Sequence, residues 1–359
     1  MSLQHPYFGS FDRSKTMRLA ILSALALGLL ATHAARAETL KPERRIEATS
    51  DFAGKKPRKP AEDISGIACR PPAGGDYRCL VINDENKAAQ FATLKQGTIT
   101  PGPSLPLVKD SAPAGASGRQ PVIGCPQKGD FEDFDGEGVA FADRHFYIVG
   151  SHGCSRRSGE YRPSSFLLAR IAAGNGEAGT PELSWRVADL LGAAGEVAPF
   201  VGKALDDKSN GLNIEGLAVV GDRIWFGLRA PSRDGRAFLV GGSVAELFKP
   251  GSEPATSKPQ LLALAAGAQR GVRDLAPLAD GRLLVLVGPV QEQDVPYAIL
   301  LLDTADPAAV RELGQLPKRK DAKAEALTVL AQERGELRVL VGYDSVKNGG
   351  FEEYRLKLP

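Results

Sequence analysis

Five short motifs recur along the chain, and they constrain its fold more than any other feature. Ser65-Gly66-Ile67-Ala68 is the first copy, and Glu137-Gly138-Val139-Ala140 and Glu215-Gly216-Leu217-Ala218 follow it. Arg273-Asp274-Leu275-Ala276 is a degenerate fourth, and Glu325-Ala326-Leu327-Thr328 is the fifth. Each leads, after a short turn, into a strongly apolar run: residues 78–82, 145–149, 223–228, 282–287 and 337–341. The turns carry Gly-Gly-Asp, Gly-Asp-Arg, Asp-Gly-Arg and Arg-Gly-Glu, which suit hairpins. Long 3.6-residue periodicity is scarce, so the reading is all-β. The copies lie 72, 78, 58 and 52 residues apart, room for about four strands each. Four-stranded units repeating at that interval predict a β-propeller of five antiparallel blades. The two long intervals leave six blades as the alternative. The fifth copy has room for only three strands before the C-terminus, so residues 44–49 are expected to supply the missing one. Both chain ends would then close one sheet and remove a free edge.

The small second and fourth residues share a strand face and let neighbouring blades approach. The first position is different, because packing does not require a carboxylate. There the copies read Ser65, Glu137, Glu215, Arg273 and Glu325. If the innermost strands run alike, these side chains form a ring at one channel mouth. Three gathered carboxylates raise one another's pKa unless compensated. A hard cation such as calcium would compensate them, with Ser65, Glu137, Glu215 and Glu325 as ligands. So would the permanent charge of Arg273, as an internal lock. A catalytic role for Glu137, Glu215 or Glu325 is the third option.

The N-terminus reads as an address. Lys15 and Arg18 precede an apolar run from Leu19 to Ala31, and Ala35-Arg36-Ala37 follows. This is the layout of a secretory signal peptide, too short for a comfortable membrane span. Residues 1–37 are expected to be removed, leaving 38–359 as a single domain in the periplasm or outside the cell, with no membrane anchor. The whole chain has a formal net charge of +2; losing Arg13, Lys15, Arg18, Arg36 and Asp12 turns it into −1. No polybasic signature remains, which argues against nucleic-acid binding, and a monomer is expected. Cys69, Cys79, Cys125 and Cys154 all survive cleavage, and an even count in an exported chain favours two disulfides. Of the three pairings, Cys69–Cys79 and Cys125–Cys154 are preferred because each links neighbouring strands.

Loops between second and third strands share the ring's face. They carry Arg156, Arg157, Arg229, Arg233 and Lys347. With Arg273 these would suit a small anionic ligand such as a phosphoester. His152 lies in such a loop and is the acid–base candidate, whereas His145 precedes an apolar strand and reads as structural. The acid-rich segment 130–137 fails the EF-hand spacing and reads as a solvated loop, with calcium oxygens as the lesser option. There is no G-x-S-x-G elbow and no P-loop.

The strand 215–218 with the run 223–231, Arg-Ile-Trp-Phe-Gly-Leu-Arg-Ala-Pro, resembles the bacterial domain-of-unknown-function family 3616 from about Asp63 onward. That resemblance implies a secreted propeller akin to the phytase-like esterases. The first-position ring is also similar to that of the calcium-activated nucleotidases (apyrases), five-bladed propellers with calcium on the axis. That family holds its ion with Ser, Glu, Glu, Ser and Glu. Ser65, Glu137, Glu215 and Glu325 match in type and order, and Arg273 departs. The expectation is therefore a phosphoesterase-like hydrolase acting at one channel mouth. The alternative is a non-catalytic propeller that binds a ligand or a protein there.

Overall fold

A computed structural model describes residues 38–359 except 57, 175–178 and 207. The expected signal peptide lies outside the described residues. Each repeat copy falls on the first of four antiparallel strands in one sheet, and the blade 1 sheet gains a short fifth, parallel strand at its outer edge. The five first strands are Ile64–Ala73, Gly136–Ala142, Asn213–Val220, Arg270–Pro277 and Lys323–Glu333. Each packs against the next, and the fifth packs against the first, so the ring has five blades and not six. Hairpin turns open where the sequence places them. Between Glu333 and Glu336, Arg334 and Gly335 both have positive φ, 49° and 81°, as a two-residue turn requires.

The small second-position residues let the blades close up. A Cβ on Gly66 would stand 2.5 Å from the carbonyl oxygen of Glu137, and one on Gly138 would stand 2.7 Å from Leu217 Cβ. Either is closer than packed atoms tolerate. Asp274 replaces the small residue in blade 4 and is fully buried. It accepts hydrogen bonds from Leu275 N at 2.8 Å and from Leu327 N of blade 5 at 2.6 Å. A side-chain bridge thus stands where other blades use close contact. The apolar cores lie between blades. Val149 and Leu168 of blade 2, for example, join Leu217, Phe226 and Phe238 of blade 3. Each such side chain contributes about 1.5–3 kcal/mol through burial.

The closing strand is Pro42–Arg45, antiparallel to Glu352–Lys357, and not residues 44–49. Ile46 ends it by turning into the core shared by blades 5 and 1. Glu47–Ala48 then pairs in parallel with the outer edge of blade 1. Upstream, Leu40 N donates to Gln315 O at 2.8 Å on the edge of blade 4. One N-terminal segment therefore spans the outer edges of three blades.

Cys69–Cys79 and Cys125–Cys154 are the two disulfides. The first joins paired strands of blade 1; the second joins two loops, because Cys125 and Cys154 lie outside the strands. Two disulfides fit a periplasmic or extracellular setting. Among the described residues no helix is long and apolar enough to cross a membrane.

Candidate functional site

The five first-position residues share one local geometry. In every blade the pairing between first and second strands shifts register at that residue. The skipped residues are Ser65, Glu137, Glu215, Arg273 and Glu325. A bulge leaves one residue outside the ladder and re-aims its side chain. Three of the re-aimed side chains converge: Glu137, Glu215 and Glu325 are buried, with carboxylate oxygens within 4.8 Å of one another. Oxygens that close are compatible with calcium. Ser65 is buried at its bulge, and its hydroxyl donates to Asp63 O at 3.5 Å.

Arg273, 1% exposed, lies among these carboxylates. Its Nη2 is 3.1 Å from Glu215 Oε2 and also donates to Glu325 Oε1. Arg229 Nη1 donates to the other oxygen of Glu215 at 2.6 Å, and its Nε donates to Val290 O at 2.6 Å. Burial opposes the charge of Arg229, but Glu215 outweighs it and the guanidinium's pKa is raised. Two arginines thus serve two glutamates. Glu137 has no ion-pair partner among the described residues. Burial, with Glu215, Asp135 and Asp84 nearby, pushes its pKa well above the usual carboxyl range.

Glu137, Glu215 and Glu325 open onto a cavity of about 250 Å³. Arg229, Arg156 and Arg157 also line it. Arg229 Nη2 and Asn213 Oδ1 are buried there without hydrogen-bond partners. Arg156 reaches Glu292 of the blade 4 loop at 3.7 Å. Other expected residues lie elsewhere. Arg233 pairs with Glu196 at 3.9 Å and Lys347 with Asp51 at 2.9 Å, and neither lines the cavity. His152 is fully buried, donates through Nδ1 to Gly150 O at 2.9 Å and packs on Phe166, with ring centroids 5.3 Å apart. Burial lowers its pKa to about 4, and it is not a wall of the cavity.

The cavity includes acids that the repeat does not mark. The segment expected as a solvated loop instead buries Asp133 and brings Asp135 to the wall. Asp135 accepts from Ser151 Oγ, and burial raises its pKa to about 6. Asp84, just past the second strand of blade 1, is raised well above the usual range by burial and by Asp135. Asp344 ends the second strand of blade 5 and pairs with Lys323 at 3.1 Å. Its cross-strand partner is Lys323, at the start of the innermost strand. The usable signal was position: the end of a second strand lies opposite the start of a first.

No curated protein matches the chain by sequence. Among solved structures, a family 43 β-1,3-galactosidase with galactodeoxynojirimycin is similar at 8% identity and TM-score 0.45, covering 88% of this chain and 94% of that one. A calcium-binding protein, regucalcin, from Agrobacterium tumefaciens is similar at 10% identity and TM-score 0.39, covering 90% and 98%. Kuenenia stuttgartiensis hydrazine synthase is similar at 9% identity and TM-score 0.35, covering 81% of this chain and 59% of that one. Over residues 181–354, from the outer strand of blade 2 into the last strand of blade 5, the chain matches the family described as Protein of unknown function (DUF3616).

Proposed function

We propose that the mouth cavity binds a small anionic ester, with a phosphoester as the best fit, and that the protein hydrolyses it in an oxidising compartment. The observation that supports this is the isolation of Glu137. It is the ring carboxyl left without a basic partner, and it shares a cavity with the unspent Nη2 of Arg229. A carboxyl whose pKa burial and neighbouring acids raise is a better proton donor, and a spare guanidinium N–H receives an oxyanion. In this reading Arg229, Arg156 and Arg157 hold the anion. Glu137 protonates the departing oxygen as the ester bond breaks. Asp135, titrating near 6, takes a proton from the attacking water.

The triad's oxygens suit calcium, but Glu215 and Glu325 already bond Arg273. An ion on the axis would compete with that guanidinium for the same two carboxylates. The charges favour the internal lock, and with it an acid–base rather than a metal route. The same lock also favours a second reading, a rigid mouth that binds without catalysis. A hydrolysis panel of nucleotides, phytate and simple esters separates these readings. Turnover that falls 10²- to 10⁴-fold in Glu137→Gln supports the hydrolase. Ligand binding with a blank panel supports the binding module. Turnover abolished by a calcium chelator replaces the acid–base form with the metal form.

A further inference from the structure

A second space opens beside the mouth, between blades 4 and 5, with a volume of about 780 Å³. That size suits a small-molecule ligand. It shares Lys323 as a wall with the mouth cavity. Tyr297, Tyr343, Pro296 and Pro317 give it flat apolar surface, beside charged walls that include Glu292, Asp294, Lys318 and Asp321. Tyr297 is built into place. A Cβ on Gly288 would stand 2.3 Å from the Tyr297 ring and 3.1 Å from Arg273 Cγ, so the missing side chain leaves room for both. Tyr297 also feels the charges of Arg273, Glu215 and Arg229, which places it at the boundary between cleft and ring. On one of these walls the Arg319 guanidinium lies 4.3 Å above the Tyr343 ring, and it is 3.5 Å from Glu352 Oε1. Its side chain remains 25% exposed. A planar guanidinium held by stacking, in a cleft that also presents a phenol and prolines, suits the flat face of a ring.

We propose that this cleft holds the ring-bearing leaving group of the ester whose anionic end sits at the mouth. The inference rests on the reading of the mouth given above. The shared chemistry is a flat ring face, supplied by an aromatic group or by a sugar.

Calorimetric titration of the folded protein tests it with non-hydrolysable probes. Methylphosphonate reads the mouth alone, benzylphosphonate reads mouth and cleft, and benzyl alcohol and methyl glucoside read the cleft alone. Benzylphosphonate should bind about tenfold more tightly than methylphosphonate, the scale of one aromatic contact. Ala322→Trp, at a half-buried cleft wall, should erase that margin and leave methylphosphonate unchanged. Tyr297→Leu should reduce the margin in the same way. Methyl glucoside binding that Ala322→Trp abolishes identifies a sugar as the ring, and an intact benzyl margin identifies an aromatic group. Binding of a ring alone that Ala322→Trp abolishes, with no methylphosphonate binding, keeps the cleft and removes the mouth reading. Absence of any ring-dependent binding sensitive to Ala322→Trp overturns the inference, whatever methylphosphonate does.

Discussion

Replacing Arg273 with serine removes the lock and recreates the Ser, Glu, Glu, Ser, Glu order that the ring resembles. Arg273 serves two carboxylates, but their fates differ. Glu215 keeps Arg229 at 2.6 Å, whereas Glu325 has no second basic partner among the described residues. The variant therefore strands one buried carboxylate. Breaking a buried pair on one side costs about 3–5 kcal/mol, and a single orphan points to about 3. The stranded group can instead take a proton, so its folded pKa rises above the unfolded value of about 4.3. The folded state then binds more protons than the unfolded state. Stability relative to wild type should be nearly unchanged below pH 4.5 and should fall as pH rises, by about 1.4 kcal/mol per unit. Between pH 5 and 7 that slope gives about 3 kcal/mol, in agreement with the orphan's cost. Urea unfolding of both proteins at pH 5, 6 and 7 measures it. Calcium at a hundredfold excess over its Kd should return about 2.7 kcal/mol to the variant and leave wild type unmoved. A loss below about 1 kcal/mol with no pH slope would refute the lock. So would a calcium shift in wild type as large as the variant's.

Glu137→Gln should stabilise the protein above pH 5, because the folded wild type holds this proton while the unfolded chain's carboxyl ionises, which lowers wild-type stability as pH rises. The gain should vanish below pH 4.5, and urea midpoints across that range read it. Asp274→Ala strips the acceptor from two buried amides, Leu275 N and Leu327 N, and should cost about 2–5 kcal/mol. Hydrogen exchange at Leu327 should speed up by more than the global loss predicts. Replacing Cys125 and Cys154 with serine opens a link between residues 29 apart and should cost about 3–4 kcal/mol in thermal or urea unfolding. An unchanged midpoint would mean that the loops are held without it.

The blade count and the acidic ring were legible because each repeat copy performs the same task at the same place. A bulge recurs at every first position, so Glu137, Glu215 and Glu325 could be aligned without coordinates. The lock was legible as an alternative because Arg273 occupies one of the five places. Asp84, Asp135 and Asp344 were not legible as site residues. They sit where second strands end or loops enter; Asp84 and Asp344 occupy the same place in blades 1 and 5, but the other blades do not repeat an acid there. Asp135, with φ of 50°, is brought inward by a backbone conformation that the string of acids around it does not announce. His152 misled for a related reason: a loop position suggested exposure, but Gly150 and Phe166 enclose its ring. The N-terminal strand was correct in role and displaced in register, since only the structure reveals that Ile46 is a core residue.

The segment that crosses blades 4, 5 and 1 also sets an order of events during folding. Arg44 bonds Glu353 across 309 residues of chain. Closing a loop of that length costs about 5 kcal/mol in chain entropy. Each hairpin, by contrast, closes over a few residues. Blades can therefore organise locally while residues 42–45 wait for an edge more than 300 residues further along the chain. The final contact is the slowest to form, in keeping with the slow folding of sheets dominated by distant pairings. The seam between blades 5 and 1 then acts as the ring's clasp, shut by the pairing most distant along the chain.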